Sequence, residues 1–177
     1  MTPADSFWTI YESPLGPLTL IGDTVALRAV HFPGRSGPLD ERARSRARFT
    51  DAMAQLDEYF AGERRAFTLA VRLEGTAFQE RVWAALRSIP FGSTCSYGEL
   101  AARVGRLDRI RAVGAAVGRT PVPIIVPCHR VIGADGSLTG YGGGLRRKQT
   151  LLDLEAAVSG GAPPPAVWAG RQLSLIG

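Results

Sequence analysis

The chain has 177 residues, 45% of them apolar, and a formal net charge of +5, enough for one ordinary domain or two small ones with a self-supporting core. No apolar run approaches the ~18 residues of a membrane helix. The opening Met1-Thr2-Pro3-Ala4-Asp5 lacks the basic and apolar regions of a signal peptide, so a cytoplasmic location is expected.

The first stretch reads as strands. Phe7 to Tyr11 ends at the turn signal Pro14-Leu15-Gly16-Pro17, Leu18 to Ile21 ends at Gly22-Asp23, and Val25 to Phe32 follows. Short β-branched and aromatic runs between Gly and Pro predict an antiparallel meander. From Asp40 to Phe60 the period changes: Phe49, Met53, Leu56 and Phe60 fall at spacings of 4, 3 and 4, one apolar stripe of a helix that Gly62 can stop. Arg42, Arg44, Arg46 and Arg48 are expected on its solvated face, and Phe67 to Leu73 as another strand leading to Gly75.

A second unit opens at Thr76. Thr76 with Gln79 has capping-box spacing, with Phe78, Val82 and Leu86 at helical intervals and a stop before Pro90-Phe91-Gly92. Ser96-Tyr97-Gly98-Glu99 is a second capping box, opening a short helix through Leu100, Ala101 and Val104 that ends at Gly105. Asp108 is placed to cap a third helix, with Ile110, Val113 and Val117 as its core stripe and Thr120-Pro121 as its end. Two short helices with a Gly-containing link resemble a helix-turn-helix. Beside that stripe Arg111 has Gly114 and Ala115 at i+3 and i+4, then Gly118. Glycine inside a helix costs about 1 kcal/mol relative to alanine, so it calls for close helix packing or close approach of a nucleic acid, with Arg111 as the one long reach.

Ile124-Ile125-Val126 reads as a short buried strand before Pro127-Cys128-His129-Arg130-Val131-Ile132. A loop, Gly140-Tyr141-Gly142-Gly143-Gly144, leads into a helix with Leu145, Leu152 and Glu155. From Ser159 the Gly160-Gly161 and Pro163-Pro164-Pro165 composition is that of a linker, followed by Trp168, Leu173, Leu175 and Ile176, which could dock back.

The charge is unevenly divided. Residues 1–75 carry nine Arg against ten Asp or Glu, a net of −1; residues 76–177 carry eleven Arg and one Lys against six acids, a net of +6. A local positive field of that kind suits DNA or RNA, and equally a solvated basic surface. Cys95 and Cys128 are too few for a disulfide scaffold, and reduced thiols are expected.

Cys128 beside His129 is the reactive pair. Only a thiolate is a strong nucleophile, and an imidazole can take its proton directly or through a water. Adjacent side chains rarely meet, which favours the water. A buried structural cysteine remains the plain alternative.

The longer string resembles the O6-alkylguanine-DNA alkyltransferase family. It is carried by Pro127-Cys128-His129-Arg130-Val131, by Arg111-Ala112-Val113-Gly114 and Pro121-Val122-Pro123-Ile124, by Tyr97-Gly98-Glu99-Leu100-Ala101, by Tyr141-Gly142-Gly143-Gly144-Leu145 and by Leu151 to Glu155. The likeness covers about residues 76–156 and extends to residues 1–75 only in its strand and helix pattern. It implies an α/β chain: a small N-terminal α/β domain with an antiparallel, ribonuclease H-like sheet at 1–75, a mostly helical winged helix-turn-helix-like domain at 76–158, and a Gly/Pro-rich tail at 159–177.

The resemblance also implies an irreversible, single-turnover methyltransferase of direct-reversal DNA repair. Cys128 would accept the alkyl group of O6-alkylguanine in double-stranded DNA, with O4-alkylthymine a second candidate substrate. His129 would relay the proton, Glu155 would orient His129, and Tyr97 would help expel the nucleotide and donate to the departing base. Arg111 would fill the gap left by the flipped base, on a DNA-binding face that includes Ala112, Gly114 and Ala115. Tyr141, Gly142, Gly143, the Val131 carbonyl and Thr120 would line the base pocket. No cofactor or metal is expected; the partner would be DNA, bound by a monomer, with cooperative loading left open.

The chain departs from the family at Thr120, where Asn is usual, at Cys95, not usually a cysteine, and at Gly142, where some members carry Ser. Three other readings stay open: a non-catalytic lesion-binding module, which lacks the cysteine; a helix-turn-helix regulator, which Gly114, Ala115 and Gly118 equip poorly for base readout; and a Cys-His hydrolase.

Overall fold

The computed structural model describes residues 6–162. Strands β1 (Phe7–Ser13), β2 (Gly16–Gly22) and β3 (Leu27–His31) form the expected antiparallel meander, in the order β1-β2-β3. The β1–β2 turn is closed by Gly16 at φ +94°, a conformation glycine adopts without strain. Leu18 and Leu20 of β2 are fully buried, with Tyr11 of β1 beside them.

The expected helix from Asp40 begins only at residue 50, as α1 (Thr50–Phe60). Residues 41–43 and 46–49 are short 3-10 turns, because the chain leaves the helical path to reach β1: the Ser45 N–H donates to the Trp8 carbonyl at 2.9 Å. The arginines here are exposed, yet two of them cover aromatic rings, Arg44 lying 5.2 Å from the Trp8 centroid and Arg48 3.8 Å from that of Phe7. The inward stripe of α1 holds at Phe49, Met53 and Leu56 and departs only in its last turn. Tyr59 is fully buried, whereas Phe60 is half-buried. Phe67 to Leu73 is not a strand; it meets β3 at one bridge, Leu27 with Val71, held by Leu27 N–H to Ala70 O and Arg72 N–H to Leu27 O, both 2.9 Å.

In the second unit α2 (Ala77–Arg87) and α3 (Tyr97–Arg103) both carry complete capping boxes, on Thr76 and Gln79 and on Ser96 and Glu99. Helix α4 (Ile110–Gly118) follows α3 in a helix-turn-helix arrangement. Asp108 does not cap it: the carboxylate is occupied by Arg106 and Arg109, and α4 begins without a side-chain cap. Ile110 is 44% exposed, so the core stripe of α4 is Val113, Ala116 and Val117.

Residues 124–126 are a tight loop rather than a strand, with one bridge between Pro123 and Val126 and Ile124 at φ +77°. Pro121, Pro123 and Pro127 remove the N–H donors a ladder would need. A β-branched residue with positive φ stores strain of about 1–3 kcal/mol, which the surrounding buried packing must hold. The loop delivers the chain into a 3-10 turn, Cys128–Arg130, then β5 (Val131–Ile132), which pairs in parallel with β4 (Cys95–Ser96). Helix α5 (Leu145–Ser159) runs one residue past the expected boundary at 158 and ends on Gly160 at φ +71°. The expected linker and apolar tail from Pro163 onward lie outside the described residues.

The two units share a core. Leu18, Leu20, Leu56 and Tyr59 belong to the same apolar cluster as Leu86, Leu100, Val113 and Leu151. Two hydrogen bonds brace the second unit's α4 region: Trp83 Nε1 donates to Ala116 O, and the Val30 N–H of β3 donates to Pro121 O, both at 2.9 Å.

Candidate active site

The 3-10 turn after Pro127 buries three consecutive polar or reactive side chains, Cys128, His129 and Arg130. Their partners come from α5, where Lys148 and Glu155 are seven residues apart and therefore on one helix face. Both are essentially unexposed.

The Glu155 carboxylate is the hub. Its Oε1 accepts from His129 Nε2 at 2.8 Å, Arg130 Nη2 at 2.9 Å and the Tyr59 hydroxyl at 2.7 Å. Its Oε2 accepts from Arg130 Nε at 2.9 Å and the Gly92 N–H at 3.1 Å. Burial pushes this carboxyl upward, but His129 and Arg130 more than reverse that, holding it well below the usual carboxylate range. A bidentate guanidinium on a buried carboxylate satisfies most of its desolvation demand.

His129 is wholly buried. Burial lowers its pKa, with Arg130 and Lys148 adding to the effect and Glu155 opposing it. The ring is therefore neutral near pH 7. Nε2 donates to Glu155, so Nδ1 is the basic atom, and Nδ1 has no protein hydrogen-bond partner among the described residues. Next to it, burial pushes the Cys128 thiol up to about 11, although the Thr120 hydroxyl and the Lys148 ammonium favour the thiolate. At pH 7 only roughly one such thiol in ten thousand is ionised, so attack requires a base. Cys95 is a second free, buried thiol, on β4 opposite Val131 of β5, and no disulfide joins the two.

Cys128 opens on a cleft of about 340 Å³ bordered by Thr120, Tyr141 and Gly142 and, from the first unit, by His31, Phe32 and Arg35. Thr120 Oγ1 donates to Val117 O at 2.8 Å. Gly143 is required here, since a Cβ would meet the Phe32 ring at 2.7 Å. The Tyr141 hydroxyl is buried without a protein partner among the described residues. Tyr97, first residue of α3, donates to Thr139 O at 3.2 Å. The Val131 carbonyl already accepts from Lys148 Nζ at 2.5 Å, and the same ammonium donates to Thr139 O at 2.7 Å. Burial lowers the Lys148 pKa to about 8.

Arg111 and Ala115 are exposed on α4, with Ala112 and Gly114 half-buried. The Arg111 side chain has no partner among the described residues. Helix packing does not demand the glycines: a Cβ on Gly114 would sit at an ordinary 3.7 Å from Tyr97, and one on Gly118 would meet nothing within 4 Å. That leaves the open face itself as the reason for small residues.

The structure thus sets Cys128, Thr120, Tyr141 and Gly142 on one cleft, joins His129 to Glu155, links Tyr97 and Val131 through the Thr139 carbonyl and Lys148, packs Gly143 against Phe32, and leaves Arg111 on the surface of α4. Tyr59, Arg130 and Lys148 also belong to the site without having been singled out from the sequence. Arg130 lay within the quoted Pro-Cys-His-Arg string, and Lys148 is the only lysine; neither fact reveals burial. For Tyr59 the helical spacing pointed to Phe60 instead.

Comparison with known proteins covers both units. Residues 77–157 match the family model described as 6-O-methylguanine DNA methyltransferase, DNA binding domain, and residues 6–73 match the ribonuclease-like domain of the same family. A methylated-DNA–protein-cysteine methyltransferase of Mycobacterium leprae is 52% identical over 81% of this chain and 88% of its own. The protein of that name from Methanosarcina acetivorans is 46% identical over 85% and 99%. Among solved structures, OGT of Mycobacterium tuberculosis in complex with DNA superposes with a TM-score of 0.79 at 46% identity, covering 89% of this chain and 96% of that one.

Proposed function

Because the chain belongs to the 6-O-methylguanine DNA methyltransferase family, we propose that it repairs alkylated DNA by moving the alkyl group of O6-alkylguanine onto Cys128 in a single, irreversible turnover. One observation carries the reading. A buried neutral imidazole is locked by Glu155 so that its basic nitrogen is left without a protein partner, one residue along the chain from a thiol that cannot ionise unaided.

The step balances as a displacement. Cys128 Sγ forms a bond to the alkyl carbon as the carbon–O6 bond breaks, and the thiol proton passes through a water to His129 Nδ1. The departing guanine takes a proton from the Tyr97 hydroxyl, which now donates to the Thr139 carbonyl, and the imidazolium returns the thiol proton through solvent to the tyrosinate, so the proton lost by sulfur ends on guanine. Glu155 stabilises the imidazolium that forms. Among the described residues the site offers the product thioether no group that could cleave it, which supports one turnover per molecule.

The alkylated atom lies inside the base stack, and the base must leave it at a cost of a few kcal/mol. Exposed Arg111 on the smooth face of α4 supports a role in filling the gap, and the small residues support close approach to a groove. Tyr141, Gly142, Gly143 and the Val131 carbonyl are assigned to the base pocket, with O4-alkylthymine as a second substrate. The protein is proposed to act in the cytoplasm as a monomer on duplex DNA; among the described residues no helix is long and apolar enough to cross a membrane.

The test is intact-protein mass after mixing with a duplex carrying one O6-methylguanine, followed by peptide mapping. One methyl group per protein on the Cys128 peptide, absent in Cys128→Ala, is the expected result. Binding without any change in protein or base would overturn repair in favour of a lesion-binding module.

A further inference from the structure

Among the described residues of the first unit, Tyr59 is the one whose side chain hydrogen-bonds to Glu155. It sits near the end of α1, fully buried, and its hydroxyl donates to Glu155 Oε1 at 2.7 Å across a sequence separation of 96 residues. Its ring is confined by Phe67, Phe60 and Phe91, with centroids 5.3, 5.4 and 6.0 Å away. The hydroxyl cannot swing to another acceptor without disturbing that cluster.

The same oxygen serves three donors. Tyr59, His129 and Arg130 Nη2 share Oε1, while Arg130 Nε and the Gly92 amide share Oε2. A carboxylate oxygen has two in-plane lone pairs, so a third donor draws charge from the other two. The phenol has the shortest of the three contacts and is neutral: it takes part of the carboxylate's charge without adding a cation beside the imidazole.

We propose that Tyr59 is a positioning residue of the proton relay, through which the first unit sets how strongly Glu155 holds the His129 ring and hence how readily that ring takes a proton. The proposal rests on the relay described above. The charged and titratable groups facing His129 are Glu155 and Lys148 from α5, Arg130 from its own turn, and Tyr59, through Glu155, from α1. Removing the phenol hydroxyl leaves Glu155 with four donors. The freed charge falls on His129 and Arg130, the imidazolium is stabilised, and His129 protonates at higher pH. A purely structural Tyr59, present because a buried hydroxyl needs an acceptor, would change stability alone.

The experiment uses the full chain with 15N-labelled histidine. Only His31 and His129 exist, so His31 on β3 serves as the internal reference. In Tyr59→Phe, which keeps the ring and the packing, the protonation midpoint of His129 should rise by several tenths of a pH unit while that of His31 stays in place. The acid limb of single-turnover methyl transfer should rise by the same amount. Site-specific 3,5-difluorotyrosine at position 59, a stronger donor, should move both the other way. An unmoved His129 midpoint in Tyr59→Phe, with only a lower melting temperature, overturns the proposal. A shifted midpoint in a protein that transfers no methyl group even as wild type leaves the hydrogen-bond assignment standing and defeats the repair reading instead.

Discussion

Glu155 Oε1 and His129 Nε2 lie 2.8 Å apart, and that contact decides which ring nitrogen bears the proton. A carboxylate held ionised by Arg130 can only accept, so Nε2 donates and the lone pair is left on Nδ1, the atom without a protein partner among the described residues. An inverted tautomer would leave Nδ1 protonated and offer the thiol no base.

Glu155→Gln tests that arrangement. The amide keeps one acceptor oxygen but leaves the buried Arg130 guanidinium without its counter-charge. Removing one partner of a buried pair costs about 3–5 kcal/mol, so the urea midpoint should fall accordingly. Losing control of the general base should slow methyl transfer by about 100-fold or more, read by quenched-flow mass analysis.

The thiol should betray its environment in the absence of DNA. With burial holding Cys128 at about 11, its reaction with iodoacetamide should rise about tenfold per pH unit from 7 to 10 and level off near 11. The folded state binds this proton more tightly than the unfolded chain. The associated stability is therefore complete below the ordinary value of 9.0 and lost as pH climbs through about 11. Cys128→Ala should show a smaller alkaline loss. A Cys128 that already reacts fully at pH 7 would refute the assignment of His129 as obligatory base.

Arg111→Ala separates base flipping from chemistry. The side chain is exposed and makes no contact within the described protein, so stability should change by less than about 0.5 kcal/mol. Repair of O6-methylguanine in duplex DNA should fall about 10- to 100-fold, in line with a flipping cost of a few kcal/mol. Reaction with free O6-benzylguanine, which needs no flipping, should be unaffected.

Gly118→Ala addresses the small-residue face. No neighbour lies within 4 Å of the added methyl, and alanine favours helix by up to about 1 kcal/mol, so the melting temperature should hold or rise. Weaker duplex binding in a more stable protein would assign the glycine to DNA approach. Unchanged binding would return it to an unexplained feature of α4.

Local rules made the sheet and most helices legible. β-Branched and aromatic runs with Gly-Pro punctuation placed β1 to β3, and the two capping boxes placed the starts of α2 and α3, because those signals act over a few residues and need no tertiary partner. The misreadings share a cause. Residues 40–49 left the helix to bond and stack on β1, Asp108 was drawn away from α4 by Arg106 and Arg109, and residues 124–126 were bent by prolines around the reactive turn. In the first case a strand distant in sequence outweighed propensity; in the other two, neighbours within three residues did so through ion pairs and missing N–H donors.

The sequence by itself singled out the Cys128-His129 pair and the arginine on its smooth helix, by residue type and spacing, and its motif string resembled the family, a resemblance that implied the carboxylate. Only the tertiary structure decided that Tyr59, not Phe60, faces inward, that Arg130 neutralises Glu155, and that Lys148 is buried against two carbonyls. Those contacts join residues up to 96 positions apart. Burial and the sharing of one carboxylate among five donors are properties of the packed interior, where low dielectric makes each donor count, and no local pattern encodes them.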